Sequence, residues 1–92
     1  MAVTREGRVE GKVAVVFGGA RGIGAGIVLR LAEDGARVIV GDMREELAQA
    51  LAARVGGLFI RADVGEPADI TAGVRAAVER FGRLDIMVQN AG

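Results

Sequence analysis

A short glycine-rich segment limits what this chain can fold into more than any other part of its 92 residues. It follows the apolar run at residues 13–16, has the spacing Gly-x-x-x-Gly-x-Gly at Gly18, Gly22 and Gly24, and leads into a helical pattern. Glycine permits the close approach and the dihedral angles of such a turn. The N-terminus of a helix carries unpaired N–H groups and a partial positive charge. The segment therefore predicts a backbone cradle for a phosphate group, with a purely structural turn as the alternative.

Apolar runs and apolar periodicity predict four strands that alternate with three helices. The predicted strands cover Val13–Phe17, Arg37–Asp42, 58–62 and 84–88, and the predicted helices cover 23–34, 45–55 and Pro67–Phe81. Gly26, inside the first helix, is expected to pack this helix against a strand. The apolar residues expected on the buried helix faces are Ile23, Ile27, Val28 and Leu31, then Leu47, Leu51 and Val55, then Ile70, Val74, Val78 and Phe81.

This strict alternation is typical of βαβ units and a parallel sheet. Right-handed crossovers then predict the strand order 3-2-1-4 in a Rossmann-type, three-layer αβα fold. The first two helices should cover one face of the sheet and the third helix the other. We expect one partial domain over residues 1–92, with a polar arm at residues 1–12 and a sheet truncated after strand four.

Composition excludes several classes of function. The formal net charge is zero, which argues against nucleic acid or an anionic membrane as a partner. The chain contains no cysteine, histidine, serine, tyrosine or tryptophan, so neither a Ser/His or Cys/His nucleophile nor the usual zinc site is available. No segment is long and apolar enough to span a membrane, and the expected location is the cytoplasm. We therefore predict no catalytic residue and no metal ligand.

Three further motifs lie where the predicted strands end. Gly41-Asp42 ends the second strand, Ala62-Asp63-Val64 ends the third, and residues 84–92 form the fourth strand and its Asn-Ala-Gly ending. With the glycine segment, these motifs make the chain closely resemble the N-terminal, cofactor-binding half of a short-chain dehydrogenase/reductase. The resemblance implies an oxidoreductase that transfers hydride between a nicotinamide cofactor and an alcohol or ketone.

The resemblance also implies roles for individual residues. The glycine loop would surround the pyrophosphate, the end of strand two the adenosine ribose, the end of strand three the adenine, and the end of strand four the ribose on the nicotinamide side. Alternatives remain open: the carboxylates of strands two and three could be helix N-caps, and the asparagine a structural tie. The predicted cofactor-binding residues are Gly18, Arg21, Gly22, Ile23, Gly24, Asp42, Met43, Asp63, Val64, Asn90, Ala91 and Gly92.

The preference between the two nicotinamide cofactors follows from charge. A carboxylate at Asp42 would repel a 2′-phosphate, which favours NAD over NADP. Arg21, just before the second glycine of the motif, resembles an NADP-preferring pattern, and Arg44 is also near; alternatively, both are ordinary solvated charges. We weight Asp42 more heavily and predict NAD, with NADP as the less favoured cofactor.

Two residues depart from the family pattern. Phe17 stands where the family usually has a threonine that fixes the glycine loop, and Gln89 replaces an asparagine. The family's catalytic serine and Tyr-x-x-x-Lys pair are absent, so we predict that the 92-residue chain alone has no dehydrogenase turnover. The alternatives are a non-catalytic dinucleotide-binding module and an inactive, truncated remnant. An unpaired fourth strand and an uncovered sheet face would favour self-association.

Overall fold

The computed structural model describes residues 9–90, which contain four β-strands and three α-helices in strict alternation. Every predicted strand and helix is present, with ends that differ by at most two residues from the prediction. The fourth strand begins two residues later than predicted and ends one residue beyond the predicted end. In chain order the elements are β1 Val13–Phe17, α1 Gly22–Glu33, β2 Arg37–Asp42, α2 Glu45–Arg54, β3 Leu58–Arg61, α3 Pro67–Phe81 and β4 Ile86–Gln89.

The four strands form one parallel sheet in the order β3-β2-β1-β4, as predicted. Val15 at the middle of β1 is in register with Ile39 of β2 on one side and Met87 of β4 on the other. Every residue of β1 is buried. Because the strands are parallel, their carboxyl ends lie along the same edge of the sheet, which is where ligands bind in such folds.

Alternation along β1 divides the core into two clusters, one on each face of the sheet. Ala14 and Val16 belong to the cluster that α1 and α2 cover, while Val13, Val15 and Phe17 belong to the cluster that α3 covers. This division confirms the expected placement of the helices. It follows from the two-residue period of a strand, which sends neighbouring side chains to opposite faces.

The predicted buried helix faces are wrong at three large residues. Val78 and Leu47 are each 49% exposed, and Ile23 is 76% exposed. In α3 the fully buried residues are Gly73 and Ala77, so Val78 lies about 100° around the helix from the buried line. Small residues thus face the sheet where the sequence pattern favoured large ones.

Gly26 is also placed differently from the prediction. It is exposed, and a Cβ at this position would meet no atom within 4 Å. The close approach of α1 occurs instead two residues earlier, at Gly24, which is buried and packs against the glycine loop. Gly26 therefore has no packing role in the described part of the chain.

The strand β4 lies at an edge of the sheet. Among residues 9–90 it pairs only with β1, and Met87, on the α3 side, is 47% exposed. Leu84 and Asp85, which the sequence placed in the strand, precede it. The N–H of Asp85 donates to the carbonyl of Val13 at 2.9 Å and its carboxylate accepts the N–H of the same residue, so Asp85 holds the start of β4 against β1.

Candidate functional site

An open cleft of about 420 Å³ lies at the carboxyl ends of the strands. Every predicted site residue in the described range lines it except Gly24, and two residues outside the predicted set, Ala62 and Arg44, line it as well. Ala91 and Gly92 lie outside the described residues. The residues that line the cleft are Gly18, Arg21, Gly22, Ile23, Asp42, Met43, Arg44, Ala62, Asp63, Val64 and Asn90.

The glycine loop is tightly packed where it leaves β1. Gly18 has φ +76°, a backbone conformation that residues with a side chain rarely adopt. A Cβ at Gly24 would collide with the carbonyl oxygen of Gly18 and would lie 2.9 Å from Nδ2 of Asn90. Gly24 therefore does not line the cleft, and its lack of a side chain allows α1 to begin directly against the loop.

The N-terminus of α1 is open toward the cleft. Its first residue, Gly22, and the next, Ile23, line the cleft. The N-cap residue, Arg21, makes no side-chain capping bond and the first turn has no acidic residue. Within residues 9–90, the N–H groups of Gly22, Ile23 and Gly24 donate no hydrogen bond to the backbone or to a side chain. Unpaired donors at the positive end of a helix are a suitable environment for an anion.

The preceding N–H groups of the loop are already used by the end of β2. The carbonyl of Gly41 accepts the N–H of Gly18 at 2.7 Å and that of Gly19 at 3.4 Å. The carboxylate of Asp42 accepts the N–H of Ala20 through Oδ2 at 3.0 Å. The loop is therefore anchored to β2 along three successive residues, and only the donors further along are left for a ligand.

Asp42 is the one polar or charged residue that is buried among residues 9–90, with 4% exposure. Its Oδ1 accepts the N–H of Arg44 at 2.9 Å, and the Arg44 guanidinium lies 3.5 Å from the same oxygen. A carboxylate has about four acceptor positions, so these main-chain bonds leave capacity for donors from the cleft. The helix-cap alternative is wrong here, because α2 has no side-chain cap at its N-terminus.

Asp63 is exposed and shapes the turn after β3. Its Oδ1 accepts the N–H of Gly65 at 2.8 Å, and its own N–H donates to Oδ2 of Asp69 at 2.9 Å. It does not cap α3, whose N-cap residue, Glu66, also makes no side-chain capping bond. Asp69 was not predicted from the sequence, although an acidic residue in the first turn of a helix is a common signal for local hydrogen bonding.

Asn90 ties β4 to the glycine loop. Its Nδ2 donates to the carbonyl of Gly18 at 3.2 Å, and its N–H donates to the carbonyl of Phe17 at 2.9 Å. This is the structural tie that the sequence left open as an alternative. Since Asn90 also lines the cleft, the tie does not exclude contact with a ligand.

A second charged group lies away from the cleft, at the amino end of β1. The Arg83 guanidinium, 2.8 Å away, and the N–H of Val13 hold the pKa of Asp85 below its ordinary value of 3.8.

No three His, Cys, Asp or Glu side chains between residues 9 and 90 are grouped so that they could hold a metal ion. None of the helices in that range has the length and apolar character needed to cross a membrane.

The strand order, the glycine loop and the cleft at the carboxyl ends define a domain of the Rossmann type. The family model for short chain dehydrogenase matches residues 12–92, and the chain belongs to the short-chain dehydrogenase/reductase family.

Curated relatives match along nearly the whole chain. Tropinone reductase-like 1 of Erythroxylum coca is 46% identical over 87 residues, which are 92% of this chain and 32% of that protein. The short-chain dehydrogenase reductase ATA1 of Arabidopsis thaliana is 47% identical over 81 residues, 88% of this chain and 30% of that protein. The chain thus spans about a third of the length of these relatives.

A solved structure matches the fold closely. The crystal structure of 3-ketoacyl-(acyl-carrier-protein) reductase from Brucella melitensis, complexed with NADH, superposes with a TM-score of 0.85 at 41% identity. The match covers 91% of this chain and 36% of the reductase.

Proposed function

We propose that residues 1–92 form a partial NAD(P)-binding domain of a short-chain oxidoreductase. The reaction of the whole protein is the transfer of hydride between a nicotinamide cofactor and an alcohol or ketone. One observation carries the proposal: the unpaired N–H groups of Gly22 and Ile23 open into the same cleft as the buried carboxylate of Asp42. The NADH complex of the similar reductase supports it.

The pyrophosphate is assigned to the mouth of the glycine loop. Gly22 has φ +62°, and a Cβ there would meet nothing within 4 Å, so its backbone is accessible to a ligand. The N–H groups of Gly22 and Ile23 would donate to phosphate oxygens, with Arg21 and Gly18 also lining the cleft, while Gly24 would allow α1 to begin close enough to present them. Ile23 is 76% exposed and lines the cleft, and a bound dinucleotide would cover it.

The adenosine is assigned to the ends of β2 and β3. Asp42 would accept the ribose hydroxyls with the lone pairs that its main-chain partners leave. Ala62 belongs to the core cluster under α3, and Val64 packs against it. Together they would form the apolar surface for the adenine. Met43, 47% exposed, and Asp63 would border the ring.

The nicotinamide side is assigned to the end of β4. Asn90 borders the cleft there, and Ala91 and Gly92 follow it in the sequence, outside the described residues. A polar residue at the end of β4 would lie near the second ribose of an extended dinucleotide, since ligands of such sheets cross the carboxyl ends of the central strands.

NAD is the proposed cofactor, and NADP the less favoured one. A 2′-phosphate would approach the Asp42 carboxylate and be repelled by it. Arg44 partly opposes this repulsion, but its guanidinium is 3.5 Å from Asp42 and its charge is partly balanced there. Arg21, exposed at the N-cap of α1, is the second basic residue that favours a phosphate.

Binding of the cofactor, without turnover, is proposed for this chain alone. No serine, tyrosine, histidine or cysteine occurs among its 92 residues, so no group of the usual type could exchange a proton with an alcohol or ketone during hydride transfer. A non-catalytic dinucleotide-binding module is the second candidate, and the same absence favours it.

The cytoplasmic location and self-association through the edge of β4 stay predictions.

The test is a thermal melt of the purified chain with NADH, with NADPH and with nicotinamide mononucleotide, which lacks the adenosine. A ligand that binds only the folded state raises the melting temperature, and at equal concentration the tighter-binding ligand raises it more. We expect the order NADH, then NADPH, then the mononucleotide. A melt that responds to none of the three would contradict the proposal, and a larger shift with NADPH would contradict the preference for NAD.

A further inference from the structure

The ring of Phe17 fills a notch formed by two glycines from different elements. Phe17 is the last residue of β1 and is fully buried. A Cβ at Gly41 of β2 would lie 2.9 Å from its Cδ1, and a Cβ at Gly73 of α3 would lie 2.6 Å from its Cζ. Real Cβ atoms do not approach other atoms so closely, so the ring occupies the volume that side chains at both positions would need.

The notch lies directly beneath the anchor of the glycine loop. Gly41 is the register partner of Phe17, and its carbonyl accepts the N–H groups of Gly18 and Gly19. The next residue, Asp42, accepts the N–H of Ala20. A shift of Gly41 would therefore disturb all three hydrogen bonds that hold the loop.

The notch has little that could replace the ring if it were made smaller. Neither glycine has a side chain to extend into the space, and the atoms nearest to both Cβ positions belong to the Phe17 ring and to the side chain of Ile60. Closely packed cores respond to lost volume by partial collapse of the surroundings. Here the collapse would bring the end of β2 toward α3, and the loop would follow.

We propose that Phe17 is a positioning residue for the dinucleotide: its ring fixes Gly41, and through Gly41 and Asp42 it fixes the N–H groups of the glycine loop. This inference rests on the proposed function of the cleft. The residue itself contacts no ligand, because it is fully buried and does not line the cleft.

The main experiment compares Phe17→Leu with Val13→Ala. Val13 lies on the same strand and the same face and is equally buried, but at the amino end, away from the cleft. The dissociation constant for NADH is measured by calorimetry, and amide hydrogen exchange is measured at Gly18, Gly19 and Ala20. Both are recorded well below the melting temperature of each variant.

Phe17→Leu should raise the dissociation constant for NADH roughly tenfold and speed exchange at the three loop amides. Val13→Ala should lower the melting temperature yet leave the affinity and the loop amides within about twofold of wild type, since its cavity lies far from the loop. If Phe17→Leu does not fold, Phe17→Met, whose flexible unbranched chain adapts better to an irregular gap, is measured in its place.

A second arm tests the notch without any ligand. Gly73→Ala should lower the melting temperature in the wild-type background, because its Cβ meets the Phe17 ring. In the Phe17→Leu background the same change should be much less destabilising or even stabilising, because the remaining close atom, Cδ1 of Ile60 at 2.9 Å, ends a flexible side chain and alanine is the better helix residue once space exists. An equal effect in both backgrounds would show that the ring does not fill the notch and would overturn the inference.

The two proposals fail in different ways. If wild type binds NADH and Phe17→Leu binds it equally well with unchanged loop exchange, the positioning role is wrong and the proposed function stands. If wild type does not bind NADH, the proposed function is wrong. Unchanged loop exchange in Phe17→Leu would then still overturn the positioning role, and faster exchange would support it.

Discussion

The N–H of Ala20 donates to the carboxylate of Asp42 across 22 positions of sequence, at 3.0 Å and in a buried setting. The bond ties the glycine loop after β1 to the end of β2. The carboxylate proposed to accept the ribose therefore also holds the loop proposed to accept the pyrophosphate. Replacing Asp42 should therefore weaken binding of the adenosine diphosphate both at its ribose and at its pyrophosphate.

Asp42→Ala should weaken NADH and NADPH binding together, with the larger loss for NADH. The loss for NADH should be about tenfold or more, since hydrogen bonds to charged groups are worth about 1.5–3 kcal/mol. The repulsion of the 2′-phosphate disappears at the same time, so the ratio of the two affinities should move toward NADPH. Calorimetric titration with both nucleotides measures this.

Asp42→Asn is the matched control for Asp42→Ala. The amide keeps one oxygen as an acceptor, so one of the N–H groups of Ala20 and Arg44 stays bonded while the negative charge is removed. The shift toward NADPH should persist, with a smaller overall loss. An unchanged affinity ratio in both variants would remove Asp42 from the cofactor site, and unchanged exchange of the Ala20 amide in Asp42→Ala would contradict the tie.

Two glycines of α1 should respond oppositely to alanine. Gly24→Ala should lower the free energy of unfolding by about 1–3 kcal/mol or more, because its Cβ would collide with the carbonyl of Gly18. Gly26→Ala should raise it by about 0.5–1 kcal/mol, because the position is open and alanine favours a helix. Urea denaturation of both variants compares them directly, and equal effects would refute the close packing of α1 on the loop.

Asp85 should make the stability of the fold depend on pH in the acid range. Its pKa is lowered by Arg83 and by the N–H of Val13, so the folded state favours the ionised carboxylate. Its contribution is complete above the ordinary pKa and is lost as pH falls through the lower folded-state pKa. Unfolding free energies measured by urea between about pH 5 and pH 2 should decline less steeply in Asp85→Asn than in wild type.

The control for Asp85 is Glu79→Gln, which removes an exposed carboxylate from α3. The unfolding free energy of this variant, plotted against pH, should run parallel to that of wild type. If the profile of Asp85→Asn also ran parallel to wild type, the carboxylate would not hold β4 against β1 in solution.

The fold was predictable because its determinants are local and periodic. Short apolar runs, amphipathic segments and glycines that end helices predict the alternation of strands and helices. The handedness of crossovers then fixes the strand order. The positions of Gly18, Asp42 and Asn90 around one cleft follow from that order alone, since the ends of parallel strands meet at one edge.

The errors have a common physical origin. Apolar periodicity favours the largest residues, whereas α2 buries Ala48 and Ala52 beside the predicted Leu51, and α3 buries Gly73 and Ala77. Contacts between segments that are distant in sequence also could not be predicted from apolar periodicity. Nothing near Phe17 in sequence indicates the notch at Gly73. Such pairings depend on tertiary packing, which a single sequence does not reveal.

The last prediction concerns the edge of the sheet. Within the described residues, β4 pairs only with β1, and its outer edge presents main-chain groups beside the half-exposed Met87. Unprotected edge strands favour association with other chains, and a lysine on such a strand discourages it. Met87→Lys should therefore reduce concentration-dependent association of the chain, measured by sedimentation velocity over a range of concentrations.

Met43→Lys is a matched control, because Met43 is also 47% exposed but lies in the cleft instead of at the edge. It adds the same charge to the chain, so a general effect of charge on solubility would appear in both variants. If association falls only in Met87→Lys, the edge of β4 carries it. If it falls equally in both, net charge is responsible, and if the wild type is monomeric at every concentration, the prediction of self-association is wrong.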